Sequence, residues 1–188
     1  MSGEWMEALR LRVLEEGAFR AAFVPVKDIC FDRVFRDVCA TNACGNYGRC
    51  WMCPPDVGEI HALMEKVRRY PYGLLYQTIS EIEDSFDIEG MLEAGKLHND
   101  LAQAISRWAK EAGAFGEDWL HLGAGGCRLC PVCAKRMNEP CRHPQDAMAS
   151  LETYGVAVSE LAASCGMKYI NGQNTVTYFG AVLFQDGE

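Results

Sequence analysis

The chain has 188 residues, ten of them cysteine, and its 18 basic and 26 acidic side chains leave a formal net charge of −8. This charge argues against nucleic acid and anionic membranes as partners, and no apolar run reaches the roughly 18 residues that a membrane-spanning helix needs. Because the N-terminus lacks the basic and apolar regions of a secretory signal, we expect a cytoplasmic protein whose reduced cysteines serve metal or redox chemistry.

Hydrophobic spacing predicts alternating helices and strands along the first half of the chain. A helix over 5–16 comes first, followed by a strand over 21–26 and one or two helical turns over 32–39. After the first cysteine-rich loop, Asp56 and Glu59 have the spacing of a capping box. We therefore predict that the next helix begins at this pair.

The second half continues the alternation. A strand is predicted over 73–80, and the clearest amphipathic helix covers 88–112. A strand over 119–124 leads into the second cysteine-rich loop, and an amphipathic helix follows over 146–164. The chain closes with a strongly β-prone segment over 175–184.

This alternation predicts a mixed α/β fold. We expect a single metal-binding domain over residues 1–188, built as a sandwich of a small mixed sheet with helices. The two cysteine-rich loops, over 39–55 and 123–144, should lie at the ends of these strands and helices.

The second cysteine group consists of Cys127, Cys130, Cys133 and Cys141. Its first three members follow at steps of three, which turns several sulfurs toward one centre and resembles the C-x2-C-x2-C runs of bacterial ferredoxins. Residues 127–143 include four basic side chains and one acidic side chain, a balance that favours a negatively charged 4Fe–4S cluster. Zinc is the alternative, although zinc sites are typically built from two separated C-x2-C pairs.

The first cysteine group consists of Cys39, Cys44, Cys50 and Cys53, separated by four, five and two residues. Four thiols at this spacing suit a second 4Fe–4S cluster or a zinc ion. If only three of them bind, one iron of a cluster stays open to an external ligand. The spacing leaves these possibilities open.

Several segments around the cysteines make the chain recognisable: C-G-N-Y-G and W-M-C-P-P in the first loop, C-R-H-P after the second, and N-G-Q-N-T-V-T-Y near the end. With them the sequence resembles, from Cys30 to the C-terminus, a family of small prokaryotic proteins described as predicted metal-binding proteins of unknown function. The resemblance implies two metal-binding loops and no particular reaction. It also implies that Cys50 is less fixed than its three neighbours, so its role as a ligand stays open.

Three functions are compatible with these features. The first is electron transfer to a redox partner protein by up to two 4Fe–4S clusters. The second is an iron–sulfur enzyme with an open iron, whose small-molecule substrate lies near the polar segment Asn171–Tyr178. The third is a binding module stabilised by zinc. No motif for a flavin, a nicotinamide or a nucleotide is present, and no catalytic residue is predicted.

The remaining histidines and cysteines are interpreted more simply. We predict that His121 is a paired core histidine and that His61 and His98 lie at the surface or its boundary. Cys30 and Cys165 are expected to be small buried groups, with a stray ligand role as the alternative. Asn171–Tyr178 forms a turn whose side chains more often satisfy their own backbone than a substrate.

Overall fold

The computed structural model describes residues 3–185, which form a four-stranded sheet and five α-helices. This confirms the predicted mixed α/β fold. Among the described residues, no helix is both long and apolar enough to cross a membrane. The strands are β1 (Arg20–Pro25), β2 (Tyr72–Glu81), β3 (Trp119–Leu122) and β4 (Thr175–Phe184), and the helices are α1 (Gly3–Glu15), α2 (Val34–Ala40), α3 (Ile60–Arg68), α4 (Ile88–Ala112) and α5 (Val158–Ser164).

The strands lie in the order β1-β2-β4-β3, so the last strand of the chain is inserted into the middle of the sheet. β2 and β4 pair over their whole length, from Tyr72 opposite Phe184 to Glu81 opposite Thr175. Each of the three strand pairs is antiparallel. The small sheet, which was predicted to be mixed, is therefore purely antiparallel. β2 and β3 therefore run in the same direction on either side of β4, and α4 makes the crossover that connects them.

Both faces of the sheet are covered, because alternate side chains of each strand point to opposite sides. Leu74 of β2 and Val182 of β4 pack against α1 and α4 on one face. Leu75 and Leu183 pack against α3 and α5 on the other face. The cysteine-rich loops therefore extend from a scaffold whose two cores are complete without them.

A layer of polar side chains is buried between α4 and the sheet. His121 Nδ1 lies 2.7 Å from the Ser106 hydroxyl, and its Nε2 lies 2.8 Å from the Tyr76 hydroxyl. This confirms His121 as a paired core histidine. Burial lowers the pKa of its imidazole to about 3, so the ring stays neutral near pH 7.

The prediction of a surface or boundary position for His98 is wrong. His98 is 1 % exposed, and its Nδ1 lies 2.9 Å from the Thr78 hydroxyl. Burial lowers its pKa to about 4. The helical face that contacts the sheet includes His98 and leaves Leu97 58 % exposed. At this position a polar side chain, rather than the neighbouring leucine, occupies the interior.

The predicted helix over 146–164 is wrong in its first half, since α5 begins only at Val158. Apolar side chains of this half are buried nevertheless, including Met148, Leu151 and Tyr154. Part of the backbone pairs with a distant segment, since Gly123 bridges to Ser150, and Glu152–Tyr154 forms only a short 3-10 helix. Tertiary pairing thus replaces local helix formation while the apolar side chains keep their burial.

The predicted start of α3 is also wrong, because the helix begins at Ile60 with Glu59 as its N-terminal flanking residue. Asp56 is not its cap. Its carboxylate pairs through Oδ1 with Lys135 of the second cysteine-rich loop, and the residue lies three positions before the flanking Glu59.

Candidate metal centre

A pocket collects the thiols of the second cysteine group. Cys127, Cys130, Cys133 and Cys141 all line it, together with Cys50 from the first loop. The empty space of the pocket, measured out to its opening, is about 350 Å³. The centre of a water molecule can occupy about 20 Å³ of this space. Its remaining walls are Trp51, Met52, Leu129, Ala134, Arg142, His143 and Ala147.

Cys50 is the member of the first loop that joins the second group. It is 2 % exposed, and its sulfur accepts hydrogen bonds from the backbone N–H groups of Met52 and Cys127. The Cys53 thiol also donates to it, and this bond is the largest cause that lowers the pKa of Cys50 to about 6 and raises that of Cys53. The side chain of Cys133 forms a further hydrogen bond with Cys50.

The other three thiols of the first loop form a second, more open group. Cys39 and Cys44 lie close enough to Cys53 for their charges to raise its pKa. Cys53 is buried, Cys39 is half-buried and Cys44 is exposed. Cys50 and Cys53 therefore face each other at the boundary between the two groups.

Three charged groups act on Cys39. Burial and the nearby charge of Cys44 raise its pKa, the cation of Arg36 lowers it, and the carboxylate of Glu152 raises it. Burial in turn raises the pKa of Glu152, which favours the neutral acid. Arg36 is thus a cation that favours the thiolate form of Cys39 in the first group.

Side-chain contacts clasp the two loops together. The indole N–H of Trp51 donates to the carbonyl of Glu139 at 2.9 Å. The Lys135 ammonium pairs with Asp56 and lies 4.3 Å from the centre of the Trp51 ring, where a cation is attracted by the π-electrons. A Cβ added at Gly126 would lie 2.8 Å from the side-chain nitrogen of Asn46, so the loops also touch there.

The second loop is anchored to the sheet at its start. The N–H of Gly123, just after β3, donates to the carbonyl of Ala149 at 2.8 Å, and the N–H of Leu151 donates to the carbonyl of Gly123 at 3.1 Å. Backbone N–H groups of Leu129 and Met148 donate to the sulfur of Cys127, whose pKa is nevertheless raised by burial. Such donors stabilise a thiolate that carries metal.

Arg128 leaves the pocket and packs on helix α4. A Cβ added at Gly95 would lie 2.8 Å from Nη2 of Arg128, so the guanidinium rests where α4 has no side chain. Its Nε is buried and has no hydrogen-bond partner within residues 3–185. A cation held beside the second group offsets negative charge gathered there.

The donor set suits a thiophilic metal. Thiolates are the ligands of zinc and of iron–sulfur clusters, and the pocket adds backbone donors and basic side chains to them. In the described range, no three His, Cys, Asp or Glu side chains come together in the geometry that holds one metal ion. The pocket therefore gathers thiols without forming a ready-made site for a single ion.

The polar segment Asn171–Tyr178 lies away from this pocket's lining. The Asn171 amide donates to the carbonyl of Lys168 at 2.9 Å and to the hydroxyl of Thr177 at 3.0 Å. The Tyr178 hydroxyl donates to the carbonyl of Met91 at 2.9 Å. These side chains satisfy their own surroundings, and a substrate site at this segment stays a prediction.

Cys30 and Cys165 lie outside both groups. Cys30 is exposed, and a hydrogen bond with Glu160 raises its pKa. Cys165 is half-buried, and burial raises its pKa. It lines a separate pocket with Arg10 and Leu14.

Sequence spacing found all eight thiols but grouped them by position in the chain. The placement of Cys50 in the second pocket was missed, and so was the cation of Arg36 beside the first group. The one signal in the sequence was the resemblance, which set Cys50 apart from Cys39, Cys44 and Cys53. Whether these eight cysteines bind metal stays a prediction.

The comparison with known proteins agrees with the thiol chemistry. The model of a family described as "Predicted metal-binding protein (DUF2284)" matches residues 22–184, and the chain belongs to this family. The family predicted from the cysteine motifs is thereby confirmed, and with it a metal-binding, cysteine-rich protein whose metal is not specified. Searches of the curated proteins and of the solved structures find no match.

Proposed function

We propose that this member of the metal-binding family is an iron–sulfur protein that holds two clusters side by side and exchanges single electrons with a redox partner protein. One cluster would be held in the pocket of Cys127, Cys130, Cys133 and Cys141, and the other by the first cysteine group. Bound clusters supply one-electron chemistry. A cytoplasmic location, where thiols stay reduced, suits both sites.

The observation that carries this proposal is the contact between Cys50 and Cys53. Cys50 lines the pocket of the second group, while Cys53 belongs to the first, and their side chains are hydrogen-bonded. Electron tunnelling slows steeply as distance grows. Cys50 also contacts Cys133, a proposed ligand of the second cluster, so two redox centres held by Cys53 and Cys133 are well arranged for exchange within one chain.

Iron–sulfur clusters are favoured over zinc by the composition of the second loop. Three cysteines at successive steps of three are typical of ferredoxin-like cluster loops, whereas zinc knuckles usually come as separate pairs. Arg128 adds positive charge, and N–H groups of Leu129 and Met148 donate to Cys127. These are the groups that stabilise a negatively charged cluster.

The test is metal and sulfide analysis of the full chain purified without oxygen. We expect brown protein with about eight irons and about eight sulfides per chain, four of each per cluster. The exposed Cys30, which is outside both groups, gives the matched control: Cys30→Ser should keep the full content, and Cys130→Ser should lose about half. Colourless protein with stoichiometric zinc and no sulfide would support the zinc-stabilised module instead.

A second measurement addresses the closeness of the centres. In the fully reduced protein, two neighbouring paramagnetic clusters should broaden and split each other's EPR signals. Cys44→Ser, which removes a thiol from the first group only, should leave the simpler signal of the second cluster. Two independent signals in the fully loaded, reduced wild-type protein would contradict the side-by-side arrangement.

A further inference from the structure

The first cysteine group keeps only three thiols once Cys50 faces the second pocket. Cys50 accepts its hydrogen bonds from Met52 and Cys127 and lines the pocket of the second group. Cys39, Cys44 and Cys53 remain together on the other side. A fully ligated 4Fe–4S cluster takes four thiolates, so the first group is one donor short.

Neither of the two remaining cysteines supplies the missing donor. Cys30 is exposed and hydrogen-bonded with Glu160. Cys165 follows α5 and lines a different pocket, beside Arg10. The fourth position of the first group is therefore open to a donor other than cysteine, and the exposure of Cys44 gives a molecule from outside the chain access to it.

Arg36 indicates what kind of molecule this is. It lies three residues before Cys39 on α2, so the two side chains share one face of the helix. Its Nε and Nη2 are buried and have no hydrogen-bond partner among residues 3–185. A buried guanidinium edge without a partner is costly unless an acceptor meets it, and the planar fork of arginine matches the two oxygens of a carboxylate.

We propose that the first cysteine group holds its cluster through Cys39, Cys44 and Cys53 alone and that Arg36 binds a small carboxylate, which supplies the fourth donor. This inference rests on the proposed iron–sulfur function and deepens it, because it assigns the first group a ligand class. A dicarboxylate suits the site best: one carboxylate pairs with the Arg36 fork while the other reaches the group of thiols. The first group then binds a molecule, whereas the second group serves electron exchange.

Oxalate labelled with ¹⁷O is a suitable probe, used with the full chain that was loaded with iron and sulfide without oxygen. In the reduced protein we expect an ¹⁷O hyperfine coupling in the ENDOR spectrum, with an intensity that saturates as oxalate is added. Analysis of iron and sulfide in the same sample keeps the two proposals apart. If both clusters are present and no coupling appears at saturating oxalate, this inference is overturned while the proposed function stands. If no cluster is present, both fall.

Variants of α2 test the role of Arg36. Arg36→Ala should weaken oxalate binding by about tenfold or more, as expected for the loss of hydrogen bonds to a charged group. Arg33→Ala, an exposed arginine at the start of the same helix, removes the same charge and should leave binding unchanged. Arg36→Lys keeps the charge without the fork and should bind between the two. Equal binding by Arg36→Ala and Arg33→Ala would overturn the assignment.

Cys50→Ser decides whether Cys50 completes the first group after all. Because Cys50 lines the second pocket and is not one of the three proposed ligands, both the wild-type protein and this variant should show the ¹⁷O coupling. If the coupling appears only in Cys50→Ser, Cys50 is the fourth ligand of the first cluster and the inference is wrong. Should the variant fail to take up clusters, ⁵⁷Fe Mössbauer spectra of the wild-type protein give the same answer: oxalate must change one iron of the first cluster and spare the others.

Discussion

The two cysteine groups use the same side chain in opposite surroundings. The second group lines a pocket that is anchored to the sheet through Gly123 and closed by Cys50 and Trp51 of the other loop. The first group extends from the buried Cys53 to the exposed Cys44, with an arginine edge beside it that has no partner in the described part of the chain. The difference teaches that access and neighbouring charge, more than the number of thiols in a loop, separate a site suited to electron exchange from one suited to ligand binding.

The largest effect is expected when the second pocket loses its metal, and this change tests the comparison most directly. The double variant Cys127→Ser, Cys130→Ser should lose the metal of the enclosed site, and folding stability with it, because bound metal stabilises the folded chain. A ligand present at a free concentration of a thousand times its dissociation constant stabilises the folded state by about 4 kcal/mol. Urea unfolding without oxygen measures the loss, which should be clearly larger than that of Cys44→Ser at the open site. Equal losses would mean that both groups stabilise the fold alike.

Acid should lower the folding stability through the buried histidine layer. It should not change the difference between the two cysteine groups. In the unfolded chain His121 takes up a proton below about pH 6.5, whereas its pKa in the fold is lowered to about 3. The unfolded state therefore binds more protons as the pH falls through this window. Stability should drop by about 1.4 kcal/mol per pH unit for this residue, or about 2 kcal/mol at pH 5.

Urea unfolding between pH 5 and pH 7.5 tests this, with iron content followed at each pH. His121→Gln should show a shallower loss of stability with acid than the wild-type protein. His61→Gln, at an exposed position of α3, should keep the wild-type slope. The same slope in all three proteins would assign acid sensitivity to other groups.

A smaller effect is expected where the loops clasp. Lys135→Met removes the partner of Asp56 and the cation from the Trp51 ring. Both members of the ion pair are more than four-fifths buried, so leaving Asp56 alone should cost about 2 kcal/mol. The matched control is Arg136→Met, an exposed neighbour in the same loop. A weaker magnetic coupling between the reduced clusters should accompany the loss. An unchanged stability would show that these contacts between the loops do not stabilise the fold.

The smallest effect sharpens the role of charge at the second pocket. Gly95→Ala improves helix propensity by about 1 kcal/mol but places a Cβ against the Arg128 guanidinium, which must move away. We expect equal or slightly higher stability together with a more negative reduction potential of the second cluster, because a cation has left it. Arg128→Met should shift the potential in the same direction without the helical gain. Opposite shifts in these two variants would contradict this explanation.

Local patterns predicted the regular elements well. The helix predicted over 88–112 matches α4, and the strand predicted over 175–184 matches β4, residue for residue. Both are long and uninterrupted, and each carries the hydrophobic period of its type. The segment 146–157 has a helical period too, but Gly123 offers its backbone a distant partner, and the pairing between them outweighs the local preference.

The sequence by itself determined that this chain is a cysteine-rich metal-binding protein of mixed α/β fold, because residue type and spacing are local properties written along the chain. Only the tertiary structure decided which thiols share a pocket. Cys50 is three residues from Cys53 yet lines the pocket of Cys127, because the contacts of Trp51 with Glu139 and Lys135 fold one loop against the other. Such contacts join residues far apart in sequence, and their partners are set by packing and charge in three dimensions.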